Sequence, residues 1–190
     1  METIVTVNPS AAATLALSEG INLNNEAQRL VREGNFQAAE LKHLRAIELK
    51  ERGLGLDHIT TALSWNAIGE LYIKMGRLDE AEGYLQKALR VRSNSGPASD
   101  AAATRDNLAR IYEIRGNLQA AKTMRLAGAP DKIACCNFRC IHQTMSLKDL
   151  SHCSICKSIY YCSESCQVAD WKRHKKYCAS IPETPVMAKA

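Results

Sequence analysis

All eight cysteines of this 190-residue chain fall between Cys135 and Cys178. They read as Cys153-x2-Cys156, Cys162-x3-Cys166 and His174-x3-Cys178, preceded by a cluster of Cys135, Cys136 and Cys140. Zinc takes four thiolate or imidazole ligands in a tetrahedron. Seven cysteines and His174 make two such sets and leave one cysteine over. A segment of about 45 residues cannot bury an adequate apolar core, so metal binding must supply its folding free energy. The start, Met1 to Val7, has neither a basic nor a long apolar stretch of the kind a secretory signal needs. Clustered cysteines are then expected as metal ligands rather than disulfides, and the cytoplasm or the nucleus as the compartment.

The apolar fraction is 46% but aromatic residues make up only 5%. Alanine and leucine supply much of that apolar content, which suits close-packed helices. No stretch approaches the ~20 apolar residues needed to cross a bilayer, so no membrane contact is expected. The formal charge of +5 points toward nucleic acid only until the metal is counted. Residues 131–179 carry eight Lys/Arg against four Asp/Glu. Seven thiolates and two zinc ions would bring that segment to about +1, which argues against a nucleic-acid partner.

Upstream, an internal repeat sets the architecture. Gly34, Gly76 and Gly116 are spaced by 42 and 40 residues, and each is followed five residues later by an alanine, Ala39, Ala81 or Ala121. Ile68-Gly69-x-x-Tyr72 precedes the second glycine and Leu108-Ala109-x-x-Tyr112 the third. Each unit reads as two antiparallel helices joined at the glycine, where a left-handed residue ends the first helix. Small residues at 39, 69, 81 and 109 allow close helix approach. The pattern predicts helices near 21–33, 36–53, 58–75, 78–93, 98–115 and 117–127, with Asp57 and Ser99 or Asp100 as N-terminal caps. Gly20 and Asn22–Asn25 are expected to interrupt any helix begun at Pro9-Ser10.

The second unit, Trp65-Asn66-Ala67-Ile68-Gly69-x-x-Tyr72-x-x-x-Gly76-x-x-x-x-Ala81, resembles the tetratricopeptide repeat, in the longer-helix form of kinesin light chains. The resemblance implies a mostly α, helical-hairpin superhelix over residues 20–128, about three repeats, after an N-terminal segment 1–19. Such repeats bind peptides along the first helix of each pair. The positions that match are Asn66, Glu70, Ile73 and Lys74, then Asp106, Arg110 and Glu113, and their ordinary alternative role is a solvated helix face. Gly128-Ala129-Pro130 forms a short link to the cysteine-rich segment.

The run Tyr161-Cys162-Ser163-x-x-Cys166-Gln167-x-x-Asp170-Trp171-x-x-His174-Lys175-x-x-Cys178 resembles the MYND-type zinc finger, here spanning 131–179. In that family the ligand pairs interleave. Carried over, one zinc takes Cys135, Cys140, Cys162 and Cys166, and the other Cys153, Cys156, His174 and Cys178. The opening allows either Cys135-x4-Cys140 or Cys136-x3-Cys140. Cys135 is preferred because Asn137 fits a Cys-x-Asn-x-x-Cys opening. His142 and His152 are read as loop residues. By the same resemblance Gln167 and Trp171 border a groove for a short proline- and leucine-containing peptide. Residues 180–190 are expected to form a disordered tail, although Pro182-Glu183-Thr184-Pro185-Val186 has the look of a proline-based ligand.

These readings make the chain a non-enzymatic adaptor with two zinc ions, a peptide-reading finger and a second partner at the repeats, with a role in transcription regulation through protein contacts. The alternatives are an accessory to a SET-type lysine methyltransferase, since MYND fingers accompany that domain, and a nucleic-acid-binding transcription factor. No cofactor-binding loop and no catalytic residues are expected.

Overall fold

The computed structural model describes residues 11–141 and 144–178, together with the backbone of Met187–Lys189. The expectations for residues 1–10, His142 and the proline-containing stretch 182–186 lie outside the described residues. The chain divides into two compact units, Met1–Val91 and Arg92–Ala190.

The first unit consists of four helices, α1 (Ala11–Arg32), α2 (Phe36–Leu54), α3 (Ile59–Met75) and α4 (Leu78–Arg92). Gly34 and Gly76 stand between the paired helices with φ of 80° and 76°, a conformation that side chains with a Cβ rarely adopt. Gly69 explains how α3 and α4 come so close. A Cβ there would lie 2.6 Å from Leu85 Cγ. Ala39, Ala46, Ala62, Trp65, Ile68, Leu71, Tyr72, Ala81, Leu85 and Ala88 form the buried interior. Aromatic residues carry polar tips to partners: Trp65 Nε1 donates to Glu51 at 2.8 Å and Tyr72 Oη to Glu40 at 2.8 Å.

The first helix departs from the sequence reading. It runs unbroken through Gly20 and the asparagines. The reason is tertiary. The aliphatic stem of Lys50 crosses α1 at Gly20, where an added Cβ would lie 2.7 Å from Lys50 Cε. Asn24 is held by Ser64 Oγ at 2.6 Å and by His43 Nδ1 at 3.0 Å, and Lys50 Nζ reaches the same serine at 2.9 Å. The asparagine that looked like a breaker is part of a polar cluster inside the unit. The caps also differ. His58, not Asp57, caps α3, accepting from Thr60 N, and Asp57 pairs instead with Arg90 at 2.6 Å.

The second unit holds α5 (Ala98–Ile114), α6 (Leu118–Leu126), strands β1 (Ser151–Cys153) and β2 (Tyr160–Tyr161), helix α7 (Glu164–His174) and strand β3 (Met187–Lys189). Gly116, φ 78°, and the cap Asn117, accepting from Ala120 N, turn the chain between α5 and α6. Pro97 occupies the N-cap of α5 and offers no side chain to it, in place of the expected Ser99 or Asp100. The three strands are ordered β2-β1-β3, all antiparallel to their neighbours. Thus Met187–Lys189, expected as part of a tail without structure, adds an outer strand along Ser151–Cys153.

A buried chain of charges ties α5 and α6 to the cysteine-rich part of this unit. Arg110 and Arg125 each contact Asp106 at 2.9 Å. Arg125 continues to Glu113, which also takes Arg173 at 2.8 Å. Arg173 reaches Asp170 at 2.6 Å, and Asp170 accepts from Tyr161 Oη at 2.8 Å. Three arginines meet three carboxylates, so the network is neutral as a whole. Arg125 further donates to Ser158 O at 2.8 Å and Arg110 to Cys136 O at 3.1 Å. Asp106, Arg110 and Glu113, expected to face a peptide groove, are therefore turned to the unit's own interior. The break between repeats and finger expected at 128–131 is a change of fold type, while the compact units divide at 91/92.

Candidate metal centre

Each ligand is placed by a local device. Cys153 closes β1, and the turn after it is tight: Lys157 N donates to Cys153 O at 2.9 Å, with Lys157 itself at a φ of 52°. Cys153 N in turn donates to Ile159 O at 3.0 Å, which pins the knuckle to the approach to β2. Ser163 caps α7 by accepting from Cys166 N at 3.2 Å, so Cys162 and Cys166 flank the helix start and point to one side. His174 ends α7, and one further turn, Cys178 N to His174 O at 3.2 Å, brings Cys178 beside it. At the opening, Arg139 N donates to Asn137 Oδ1 at 3.1 Å, a turn that presents Cys135 and Cys140 together.

These devices assemble two clusters, Cys135, Cys140, Cys162 and Cys166, and Cys153, Cys156, His174 and Cys178. Within each, all ligand atoms lie within 4.8 Å of one another. Sulfurs stand in contact within each set: Cys140–Cys162 and Cys162–Cys166 at 3.5 Å, and Cys153–Cys178 at 3.9 Å. Cys156 Sγ stands 3.5 Å from His174 Nε2. A tetrahedron with zinc–sulfur bonds of about 2.3 Å has edges of about 3.8 Å, so the spacing fits a shared ion in both places. Both sets supply four protein ligands, the closed form of a structural site rather than a catalytic one.

Individual thiols of the two clusters are shifted in opposite directions. Cys156 beside it holds the Cys153 thiol well below the ordinary thiol range, and burial pushes the Cys162 thiol up. A bound dication favours the thiolate at every position. Asn137 Nδ2 also points to Cys166 Sγ at 3.4 Å, a second-sphere donor to a sulfur that carries charge. The edge of the Trp171 ring stands against His174, centroids 5.9 Å apart.

Cys136 stands outside both clusters. It is fully buried, and Tyr160 N donates to its sulfur at 3.4 Å. Burial raises its pKa well above the ordinary thiol range, so it is an inert core residue. His152 lies in β1 beside Tyr160 and joins neither cluster. Of the two residues expected at a peptide groove, Trp171 is half-buried and Gln167 is covered, 1% exposed. The charge network around Glu113 was missed at the sequence level. Its only advance signal was the concentration of Asp106, Arg110 and Glu113 on one α5 face.

Helical-hairpin repeats running into a two-cluster zinc finger define the class of this chain. Residues 60–124 match the tetratricopeptide repeat, and residues 134–178 match the MYND finger, which binds zinc. SET domain-containing protein 14 of Caenorhabditis elegans is 50% identical over 36 residues, 19% of this chain and 8% of that protein. A SET and MYND domain-containing protein of Dictyostelium discoideum is 50% identical over 40 residues, 20% of this chain and 7% of its own length. The chain thus matches less than a tenth of the length of either relative. The crystal structure of BtubC (BKLC) from P. vanneervenii is similar over 55% of this chain and 43% of its own, with a TM-score of 0.53 and 27% identity. Among the described residues, no helix is long and apolar enough to cross a membrane.

Proposed function

We propose that the chain is an adaptor whose MYND finger reads a short peptide containing proline and leucine, while the repeats hold a second protein. Both modules are interaction modules, and both metal sites are closed to a reacting water. One observation carries the peptide reading: the outer edge of β1 accepts an added antiparallel strand, here Met187–Lys189 of the same chain. Strand addition gives a peptide its main-chain hydrogen bonds, and a neighbouring pocket then gives it sequence preference. The half-buried ring of Trp171 is the surface for a ligand proline, with Gln167 one turn earlier on the same helix. The tail strand is then a competitor for the same edge. At the repeats, the second partner meets α3 around Glu70, Ile73 and Lys74. The proposed setting is the cytoplasm or nucleus, with transcription regulation acting through such contacts.

The test uses the zinc-loaded full chain and a chain ending at Cys178, titrated with a proline- and leucine-containing peptide by fluorescence anisotropy. Binding should need zinc, tighten when the tail is removed, and weaken about tenfold in Trp171→Ala with both zinc ions retained. Peptide affinity indifferent to both changes would defeat this reading.

A further inference from the structure

The arginines of the second unit are not treated alike. Arg110, Arg125 and Arg173 each rest on carboxylates. Arg105, on the same helix as Arg110, is 9% exposed, and no carboxylate among the described residues pairs with it. It donates to one neutral acceptor, Lys132 O at 2.9 Å, and its Nε has no partner. A buried charge without a counter-charge is costly, and such a group calls for an explanation. Burial, unopposed, lowers its pKa below the ordinary guanidinium value.

Arg105 lines a cavity of about 580 Å³ between the α4–α5 loop and the link from Ala127 to Lys132. Arg92, 6% exposed, lines it too, held in place by Thr104 Oγ1 at 2.8 Å and Asp100 O at 3.2 Å. Lys132 adds a third cation and Asp131 the one carboxylate, while Ser93, Asn94 and Ser95 supply a polar rim. The wall is fitted to the guanidinium. At Gly128 a Cβ would lie 2.7 Å from Arg105 Nη2 and 2.0 Å from Lys132 O, so only glycine lets the link close over it. The first turn of α5, whose N-cap Pro97 brings no side-chain acceptor, contributes Ala98 and Ala101 to the same wall. Its backbone dipole adds to the positive potential there.

We propose that this cavity binds an oxyanion group, phosphate or carboxylate, of a small ligand, with Arg105 as the buried counter-charge and Lys132 at the mouth. Guanidinium forks suit such groups through charge-assisted paired hydrogen bonds. The cavity is far larger than one oxyanion, so the rest of the ligand lies along the serine-rich rim. This site is separate from the finger's peptide edge and stands or falls independently of it.

The experiment is isothermal titration of the full-length, zinc-loaded protein with inorganic phosphate, at ionic strength held constant with chloride, and with acetate as a second arm. Saturable binding of either probe supports the site, and the tighter of the two identifies the ligand's anionic group. Arg105→Gln, which keeps a donor for Lys132 O, should weaken binding at least about tenfold. Lys132→Glu changes an exposed side chain and places a carboxylate at the mouth. It should abolish probe binding and raise the melting temperature without any probe. The second variant decides the matter even where the first fails to fold. No saturable heat with either probe, or equal binding by wild type and Lys132→Glu, overturns the proposal.

Discussion

A histidine sealed from water makes stability depend on pH. His43 has no exposed surface, and burial, followed by the nearby Lys50 charge, lowers its pKa to about 4 from 6.5. Between those values the unfolded chain binds a proton that the folded one refuses. Stability therefore falls as pH drops from 6.5 to 4, by about 3 kcal/mol over the whole window. Urea unfolding followed by Trp65 fluorescence in a Trp171→Phe background should show this loss, and His43→Leu should flatten the profile. Lys50 acts in the same sense at higher pH: burial lowers it to about 8, so stability climbs as pH rises above that value. None of this was legible beforehand, because Asn24, His43, Lys50 and Ser64 are separated along the chain and each is an ordinary helix-surface residue by type. The first zinc ligand shows where spacing runs out. Cys135 and Cys136 are adjacent, and both reach Cys140 on paper. In the fold the Cys135 sulfur joins Cys140, Cys162 and Cys166, while the Cys136 sulfur accepts from Tyr160 N. Metal analysis should find two zinc ions in Cys136→Ser and one fewer in Cys135→Ser.

At the scale of helices and strands, placement was readable and facing was not. Glycine spacing located α2 through α6 to within a residue or two, since a left-handed turn residue is a local requirement. The α1 start and the caps of α3 and α5 were not local: Lys50 crossing Gly20 keeps α1 whole, and Arg90 draws Asp57 away from α3. The finger's two-residue β2 was too short to leave a pattern in sequence. The face of α5 was the main surprise, because tetratricopeptide precedent assigns it to a ligand, and here it meets Arg125 of α6 and Arg173 of α7. Glu113 is the test of that assignment. It has no exposed surface and stands between Arg125 and Arg173. Glu113→Gln leaves both guanidiniums short of a carboxylate, and removing one partner of a buried ion pair costs about 3–5 kcal/mol. Denaturant midpoints should drop accordingly, while Asp57→Asn, which breaks an exposed pair, should leave them nearly unmoved. A Glu113→Gln protein of unchanged midpoint would mean that the face is solvated after all.

For the whole chain, the question is where zinc's stabilising influence ends. The sequence suggested a border at Gly128-Ala129-Pro130, between helices that stand by themselves and a finger that needs metal. That border follows composition, since the cysteines begin just beyond it. The compact unit begins instead at Arg92, because six charged side chains bind α5, α6 and α7 into one interior and Arg125 reaches Ser158 O across the link. Without zinc, α7 loses the ligands that fix both its ends, Arg173 leaves Glu113, and Arg125 loses its carbonyl partner. Buried charges that have lost partners destabilise the helices that carry them. Chelation should therefore speed hydrogen exchange in α5 and α6 together with residues 134–178, while α2 and α3 stay protected by a core that contains no metal ligand. If α5 and α6 kept the protection of α2 and α3 after both ions were removed, the charge network would not be coupling the finger to its helices. The finger would then be an appendage, and the change of fold type at residue 130 would also be the boundary of folding.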